Sequence, residues 1–201
     1  TSQDVTARLR RVYGTRRIGH GGTLDPMATG VLPVFVGRAT RGVEFFEHAR
    51  KEYVTLLHPG LITDTQDTTG TALEQHCVEL DNEKIEAALQ AFRGDIMQIP
   101  PMYSALKVNG QKLCDLARKG RTVERQPRPI TIHTLEYLGM ENGCLKLRVD
   151  CSKGTYIRTL CQDIGEALGC GGCMEALRRT KAGEYDISQA VPLQVLLDSE
   201  N

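Results

Sequence analysis

The sequence predicts a mixed α+β fold, and three observations carry that expectation. Two apolar runs, 130–139 and 144–151, flank Glu141-Asn142-Gly143, the signature of a β-hairpin. Apolar stripes at helical spacing stand apart from one another, at 5–12, 85–92 and 157–168, with no βαβ repeat linking them. Pro100-Pro101 removes two ladder donors, which excludes a central strand at that point. The 201 residues suit one domain with a sizeable core, and no internal repeat, low-complexity tract or linker divides them.

Thr1 or Ser2 caps a first helix that runs to about Tyr13, with Val5, Leu9 and Val12 on its apolar stripe. A glycine-rich loop, Gly19–Gly30, comes next and contains His20 and Asp25-Pro26. It leads into an expected strand at 31–36, a helix around Arg41–Ala49 that buries Val43 and Phe46, and a strand Tyr53–Leu57 ended by Pro59-Gly60. The loop from Thr63 to Gly70 holds Asp64 and Asp67, and Asx and Ser/Thr turns account for it without a cation. Asp81 caps a helix to Phe92, with Gly94 at its exit. Residues 99–128 read as a cationic insertion, in which Asn109-Gly110 precedes a short helix, Lys112–Arg118. After the hairpin, Ser152–Arg158 opens a helix to about Leu168, ended by Gly169. Arg158 in the first turn opposes the helix dipole; it either meets a buried carboxylate or a phosphate, or it is exposed. Leu177–Thr180 forms a last strand and Pro192–Asp198 a closing helix.

Composition excludes several classes. The apolar runs are far shorter than a membrane span and no signal peptide opens the chain, so a soluble, cytoplasmic protein is expected. The seven scattered cysteines suit reduced thiols better than a disulfide framework. Cys170-Gly171-Gly172-Cys173 lacks two further ligands at matching spacing, so a glycine-rich helix exit is expected there and no metal. There is no GxGxxG, Walker loop or zincin motif. Net charge is zero yet uneven: 1–50 carry eight Arg against four acids, 107–128 seven cations against two acids, and 61–100 eight acids against two cations. Such patches fit either a protein that grips a phosphate backbone or helix faces that are merely solvated. Asp25 likewise reads two ways. Local composition favours a turn residue, whereas a lone carboxylate held by glycines in an open groove can serve as nucleophile or general base.

Seven motifs stand along the chain: Gly19-His20-x-Gly22-Thr23-Leu24-Asp25-Pro26-x-Ala28-Thr29-Gly30, Lys51-x-Tyr53, Thr63-Asp64-Thr65-x-Asp67-x-x-Gly70, the run from Pro100 to Lys107, Arg128-Pro129-Ile130, Lys153–Arg158 and Leu177-Arg178-Arg179. Together they resemble the signature of the TruB-type tRNA pseudouridine synthases. These motifs occur in family order from Thr1 to about residue 195. The resemblance implies the pseudouridine synthase fold: a central mixed, mostly antiparallel sheet flanked by helices, with a thumb-like insertion at about 100–128. It implies a single catalytic domain over 1–201. The family's N-terminal strand and C-terminal RNA-binding domain are expected to be absent from this chain. The implied reaction is isomerisation of uridine 55 in the tRNA T-arm to pseudouridine, through base flipping and with no cofactor. The partner is tRNA, there is no membrane and no nucleotide cofactor, and the protein is expected to be a monomer.

Site roles follow from the same resemblance. Asp25 looks like the catalytic aspartate, Tyr53 like the residue that stacks on the base, and Arg158 like the arginine that pairs with the aspartate. Tyr156 and Leu177 look like pocket walls, and His20 like a wedge that fills the space left by the flipped nucleotide. Asp64 looks like a loop contact to tRNA, and Lys107 belongs to the thumb that clamps the T-arm. Two local departures bear on the structure: Gly21 stands where the family often has Thr or Ser, and His58-Pro59 is expected to interrupt the strand after Tyr53. Two rival readings are the catalytic subunit of a guide-RNA-directed particle and a non-catalytic tRNA chaperone.

Overall fold

The structure, a computed structural model, describes residues 1–46 and 48–198. In chain order its first elements are α1 (Ser2–Val12), β1 (Ile18–His20), β2 (Thr29–Gly30), β3 (Val34–Val36), α2 (Val43–Phe46), β4 (Lys51–Pro59), β5 (Leu61–Thr63), β6 (Ala72–Gln75) and α3 (Asn82–Gln90). There follow β7 (Gly94–Gln98), β8 (Lys107–Val108), β9 (Gln111–Lys112), α4 (Leu113–Ala117), β10 (Arg128–Glu141), β11 (Cys144–Cys151), α5 (Ile157–Ala167), β12 (Gly172–Ala182), β13 (Tyr185–Asp186) and α6 (Leu193–Asp198). This is the expected α+β architecture. The described residues form two compact units, one of Thr1–Val54 with the segment from Leu177 onward, the other of Thr55–Ala176. Among them no helix is long and apolar enough to cross a membrane.

In the first unit, Thr1 caps α1 through a reciprocal capping box with Asp4, as the opening residues predict. The helix buries Ser2, Thr6 and Leu9, and Val5 and Val12 are half-buried beside them. β1 and β3 pair antiparallel, with His20 opposite Val34. The strand expected at 31–36 is shorter than its apolar run. Pro33 has no N–H to give a ladder, and its carbonyl instead accepts from the Gly21 amide at 2.9 Å. The helix expected over 41–49 is also shorter: Gly37–Gly42 winds as a 3₁₀ segment, and only Val43–Phe46 is α-helical. Glu47, within that expected helix, lies outside the described residues. Val43 and Phe46 are half-buried. Phe46 packs edge-on to Phe35, ring centres 5.7 Å apart, and a Cβ on Gly21 would lie 2.4 Å from the Phe46 ring. Glycine at position 21 is therefore the companion of a phenylalanine at 46.

β4 alternates cleanly, burying Lys51, Tyr53, Thr55 and Leu57 on one face. Against expectation it continues through His58 and Pro59. Proline is tolerated there because it is the last residue of the strand, and the chain then reverses at Gly60, whose φ is +82°. The second unit takes β4 from Thr55 and β12 up to Ala176, and β12, β4, β11, β10 and β7 are hydrogen-bonded neighbours in that order. The predicted hairpin is β10–β11, antiparallel from Glu141 opposite Cys144, with Asn142 and Gly143 both in the left-handed region (φ +51° and +80°) that a tight hairpin turn needs. β7, which the sequence reading did not foresee, pairs with β10 at the edge of the sheet and stops before Pro100. Leu145, Leu147 and Val149 of β11 are fully buried, as are Leu160, Cys161 and Ile164 of α5 and Leu89 of α3. Cys170 and Gly171 form the exit of α5, with Gly171 donating to the Gly165 carbonyl at 2.9 Å, whereas Gly172 and Cys173 are already the first residues of β12.

Candidate active site

The glycine loop is built around a buried arginine. Arg179 on β12 is 1 % exposed; its Nε donates to the Val31 carbonyl at 2.7 Å and its Nη2 to the Gly22 carbonyl at 3.2 Å. Its own carbonyl accepts from the Val31 amide at 2.9 Å, and β2 runs parallel to β12 with Gly30 opposite Arg179. That approach needs glycine: Gly30 has φ +103°, and a Cβ there would stand 2.1 Å from the Arg179 carbonyl oxygen. One side chain thus ties down both ends of the segment 22–31. Asp25 sits between these ties, half-buried, and the preceding Leu24 amide donates to the Ser2 hydroxyl at 3.0 Å. Asp25, Leu24, Pro26 and Arg178 line an open groove of about 1320 Å³, with Leu9 and Leu196 further along it.

The same unit holds three other expected site residues. Tyr53 is buried on the Lys51–Leu57 face of β4, and Leu177 is buried on β12 two residues before Arg179. His20 is half-buried on β1, and its Nδ1 has no hydrogen-bond partner among the described residues. Burial, and after it the Arg179 guanidinium, pushes the His20 imidazole below its ordinary pKa, so it stays neutral at neutral pH.

The second unit holds the other four. Arg158, in the first turn of α5, is 6 % exposed. Its Nη1 donates to the Thr65 carbonyl at 3.2 Å and its Nη2 to the Tyr103 carbonyl at 2.8 Å. The Asp67 carboxylate lies 3.9 Å from Nη1 and is itself buried. Asp67 also organises the polar loop, accepting from the Thr65 hydroxyl at 2.8 Å and the Thr69 amide at 3.0 Å. Of the two loop carboxylates, then, Asp67 faces inward to the arginine, while Asp64 is exposed and accepts from the Thr71 amide at 2.8 Å. The loop is turned by side-chain oxygens, as its composition predicts. Tyr156 is the N-cap of α5, and Gln98 grips its backbone from both sides, accepting from its amide at 2.8 Å and donating to its carbonyl at 3.1 Å. Lys107 is exposed on β8, opposite Lys112 across the Asn109-Gly110 turn.

Three supporting residues escaped the sequence reading: Asp67 as a buried carboxylate beside Arg158, Arg179 as the tie of the glycine loop, and Gln98 as the clamp on Tyr156. A signal existed for the first. A buried anion was one of the two alternatives left open for a helix-opening arginine, and the 63–70 loop offered two carboxylates.

The comparisons with known proteins bear on fold and family together. In the crystal structure of a Cbf5–Nop10–Gar1 complex, one chain superposes with a TM-score of 0.77 at 34 % identity, over 98 % of this chain and 50 % of that one. A chain from an H/ACA ribonucleoprotein bound to a substrate RNA containing 2′-deoxyuridine superposes with a TM-score of 0.73 at 31 % identity, over 98 % and 49 %. The fold is that of the pseudouridine synthases. Residues 10–157 match the model of the TruB family pseudouridylate synthase N-terminal domain, and residues 158–201 that of the tRNA pseudouridylate synthase B C-terminal domain. The chain belongs to the TruB family. It is 48 % identical to tRNA pseudouridine synthase B of Stutzerimonas stutzeri over 98 % of this chain and 64 % of that protein. The Francisella tularensis protein of the same name is also 48 % identical, over 98 % and 66 %. The chain therefore spans a little under two thirds of the length of these relatives.

Proposed function

We propose that this protein isomerises uridine to pseudouridine in tRNA, at position 55 of the T-arm. The observation that carries the reading is the 48 % identity to proteins named tRNA pseudouridine synthase B, against 34 % to the chain from the Cbf5 complex, which favours the stand-alone enzyme over a guide-RNA-directed subunit. The chemistry asks for little equipment. The C1′–N1 glycosidic bond breaks, the base turns, and a C1′–C5 bond forms; C5 gives up its proton and the freed N1 takes one up, so no water attacks and the composition of uridine is unchanged. One carboxylate suffices where a hydrolase uses two. Asp25 serves as that carboxylate, on a loop fixed by Arg179 at both ends. Arg158, with its guanidinium held by two carbonyls and Asp67, supplies positive charge to the reaction.

The target base must leave its stack, at a cost of a few kcal/mol. Stacking against Tyr53, worth roughly 1–3 kcal/mol, offsets that cost, with Tyr156 and Leu177 as the walls of the pocket. His20, neutral at neutral pH, acts as the wedge and not as an acid–base group. Asp64 and Lys107 contact the tRNA outside the pocket, and the enzyme works as a monomer without a cofactor. The test is incubation of the full-length protein with an unmodified tRNA transcript, followed by assay for pseudouridine. Product at position 55 with no other RNA added is expected. Turnover only when a guide RNA is supplied would move the protein to the other branch, and binding without turnover would make it a chaperone.

A further inference from the structure

On the opposite face of the sheet from α5 lies a second group of reactive side chains, which the reaction above does not use. His58 on β4, Cys144 at the start of β11 and Glu175 on β12 bring one imidazole nitrogen, one thiol and one carboxylate oxygen within 4.8 Å of one another. Their three strands are hydrogen-bonded neighbours, with β4 in the middle. The alternation of each strand sets the face. Leu57 and Leu145 are completely buried, and Thr55 on the Leu57 face reaches Cys161 of α5, so His58 and Cys144, each one residue along, turn the other way. His58 Nδ1 and Glu175 Oε2 are 3.6 Å apart, and their side chains are partly exposed (37 % and 42 %), whereas Cys144 is buried behind them.

We propose that His58, Cys144 and Glu175 form a binding site for a borderline divalent transition ion of the zinc type. Metal bonds of about 2.0–2.3 Å at tetrahedral angles place neighbouring ligand atoms roughly 3.3–3.8 Å apart. The imidazole–carboxylate edge already has that length, and rotation of two half-exposed side chains brings the remaining edges in. Nitrogen, sulfur and oxygen donors together are the set that such ions take, and harder ions such as magnesium refuse it. Only the thiol side is closed, so water completes the fourth position. Binding exchanges the thiol proton of Cys144 for the metal and releases it to solvent, with no change of oxidation state. A metal there would pin three adjacent strands together.

The experiment is titration of the reduced, metal-free protein with cobalt(II), read by absorption. A thiolate-to-cobalt charge-transfer band saturating at one ion per chain is expected, displaced by zinc(II). Cys144→Ala should abolish the band with the other six cysteines in place, while His58→Asn and Glu175→Gln weaken cobalt binding by about tenfold or more. The last two variants alter half-exposed side chains and keep the core intact, so a folding failure of Cys144→Ala leaves the test standing. Zinc(II) should also raise the thermal midpoint of the parent protein and not that of His58→Asn. Absence of the band, or a band that survives loss of Cys144 or is unchanged by loss of both His58 and Glu175, overturns the proposal.

Discussion

Asp25 and Asp163 show how differently two half-buried carboxylates can matter. Asp25 lies on a loop tied by Arg179 and lines an open groove. If it carries the chemistry, Asp25→Asn keeps the shape and removes the charge. Turnover should then fall to below about one thousandth of the parent rate, while tRNA affinity in a filter-binding assay stays within about twofold. A large loss of binding would make Asp25 a structural residue. Asp163 stands on α5. Burial first, and then the negative charge of Glu166, raise its pKa from 3.8 to about 6. Between those two values the folded protein holds a proton that the unfolded chain has released, so stability falls as pH rises through this window and stays lower above it. Asp163→Asn should therefore stabilise the protein above pH 6 by about 1–2 kcal/mol, the full shift being reduced by the solvent-facing side of the residue. The gain should vanish below pH 3.8. Urea unfolding on either side of that window is the measurement, and a gain of equal size at both ends would mean that packing, not ionisation, is responsible.

Among the elements, the β2–β12 pairing is the one whose failure would most disturb the glycine loop. A side chain on Gly30 meets the Arg179 carbonyl at 2.1 Å on a backbone at φ +103°, so Gly30→Ala should cost about 2–4 kcal/mol in chemical denaturation. Arg179→Lys keeps the charge but cannot reach the Val31 and Gly22 carbonyls as a fork. A comparable loss is expected, and a variant of parent stability would remove Arg179 from its place as the tie. The same contrast explains what the sequence made legible. α1 and α3 announce themselves through Thr1 and Asp81, whose side chains cap the amides next to them, and the β10–β11 hairpin through two turn residues that tolerate positive φ. Each of those signals acts within four residues of its source. The helix over 41–49 failed because Gly37 and Gly42 bound a 3₁₀ segment that no apolar spacing reveals. Motif resemblance pointed to Asp25, Tyr53 and Arg158, yet their supports were invisible, because Arg158 reaches 93 residues back to Thr65 and Arg179 reaches 148 residues back to Val31. Only the folded chain brings such partners together.

At the scale of the whole molecule, charge is the property that composition hides. The chain is neutral, yet residues 107–128 carry seven Lys or Arg against two acids. The structure sorts these cations by what already holds them. Arg125 is half-buried and donates to the Pro100 carbonyl at 3.1 Å, and Arg118 lies 3.5 Å from Asp115, whereas Lys107, Lys112, Lys119, Arg121 and Arg128 are exposed. If this insertion grips the T-arm, the exposed cations are the ones that displace counterions from the RNA, and Lys112, Lys119 and Arg121 are three of them. Each phosphate contact steepens the fall of log affinity with log salt by about 0.7–0.9. Combined substitution of Lys112, Lys119 and Arg121 by Ala should therefore flatten the slope by about 2, measured by tRNA binding between roughly 50 and 200 mM salt. Arg125→Ala, which removes a cation engaged within the protein, should change the slope by well under one. If the triple variant kept the parent slope while binding weakly, the insertion would act through its shape and not its charge. A slope change as large for Arg125 as for the other three would show that position along the chain, not exposure, selects the contacts.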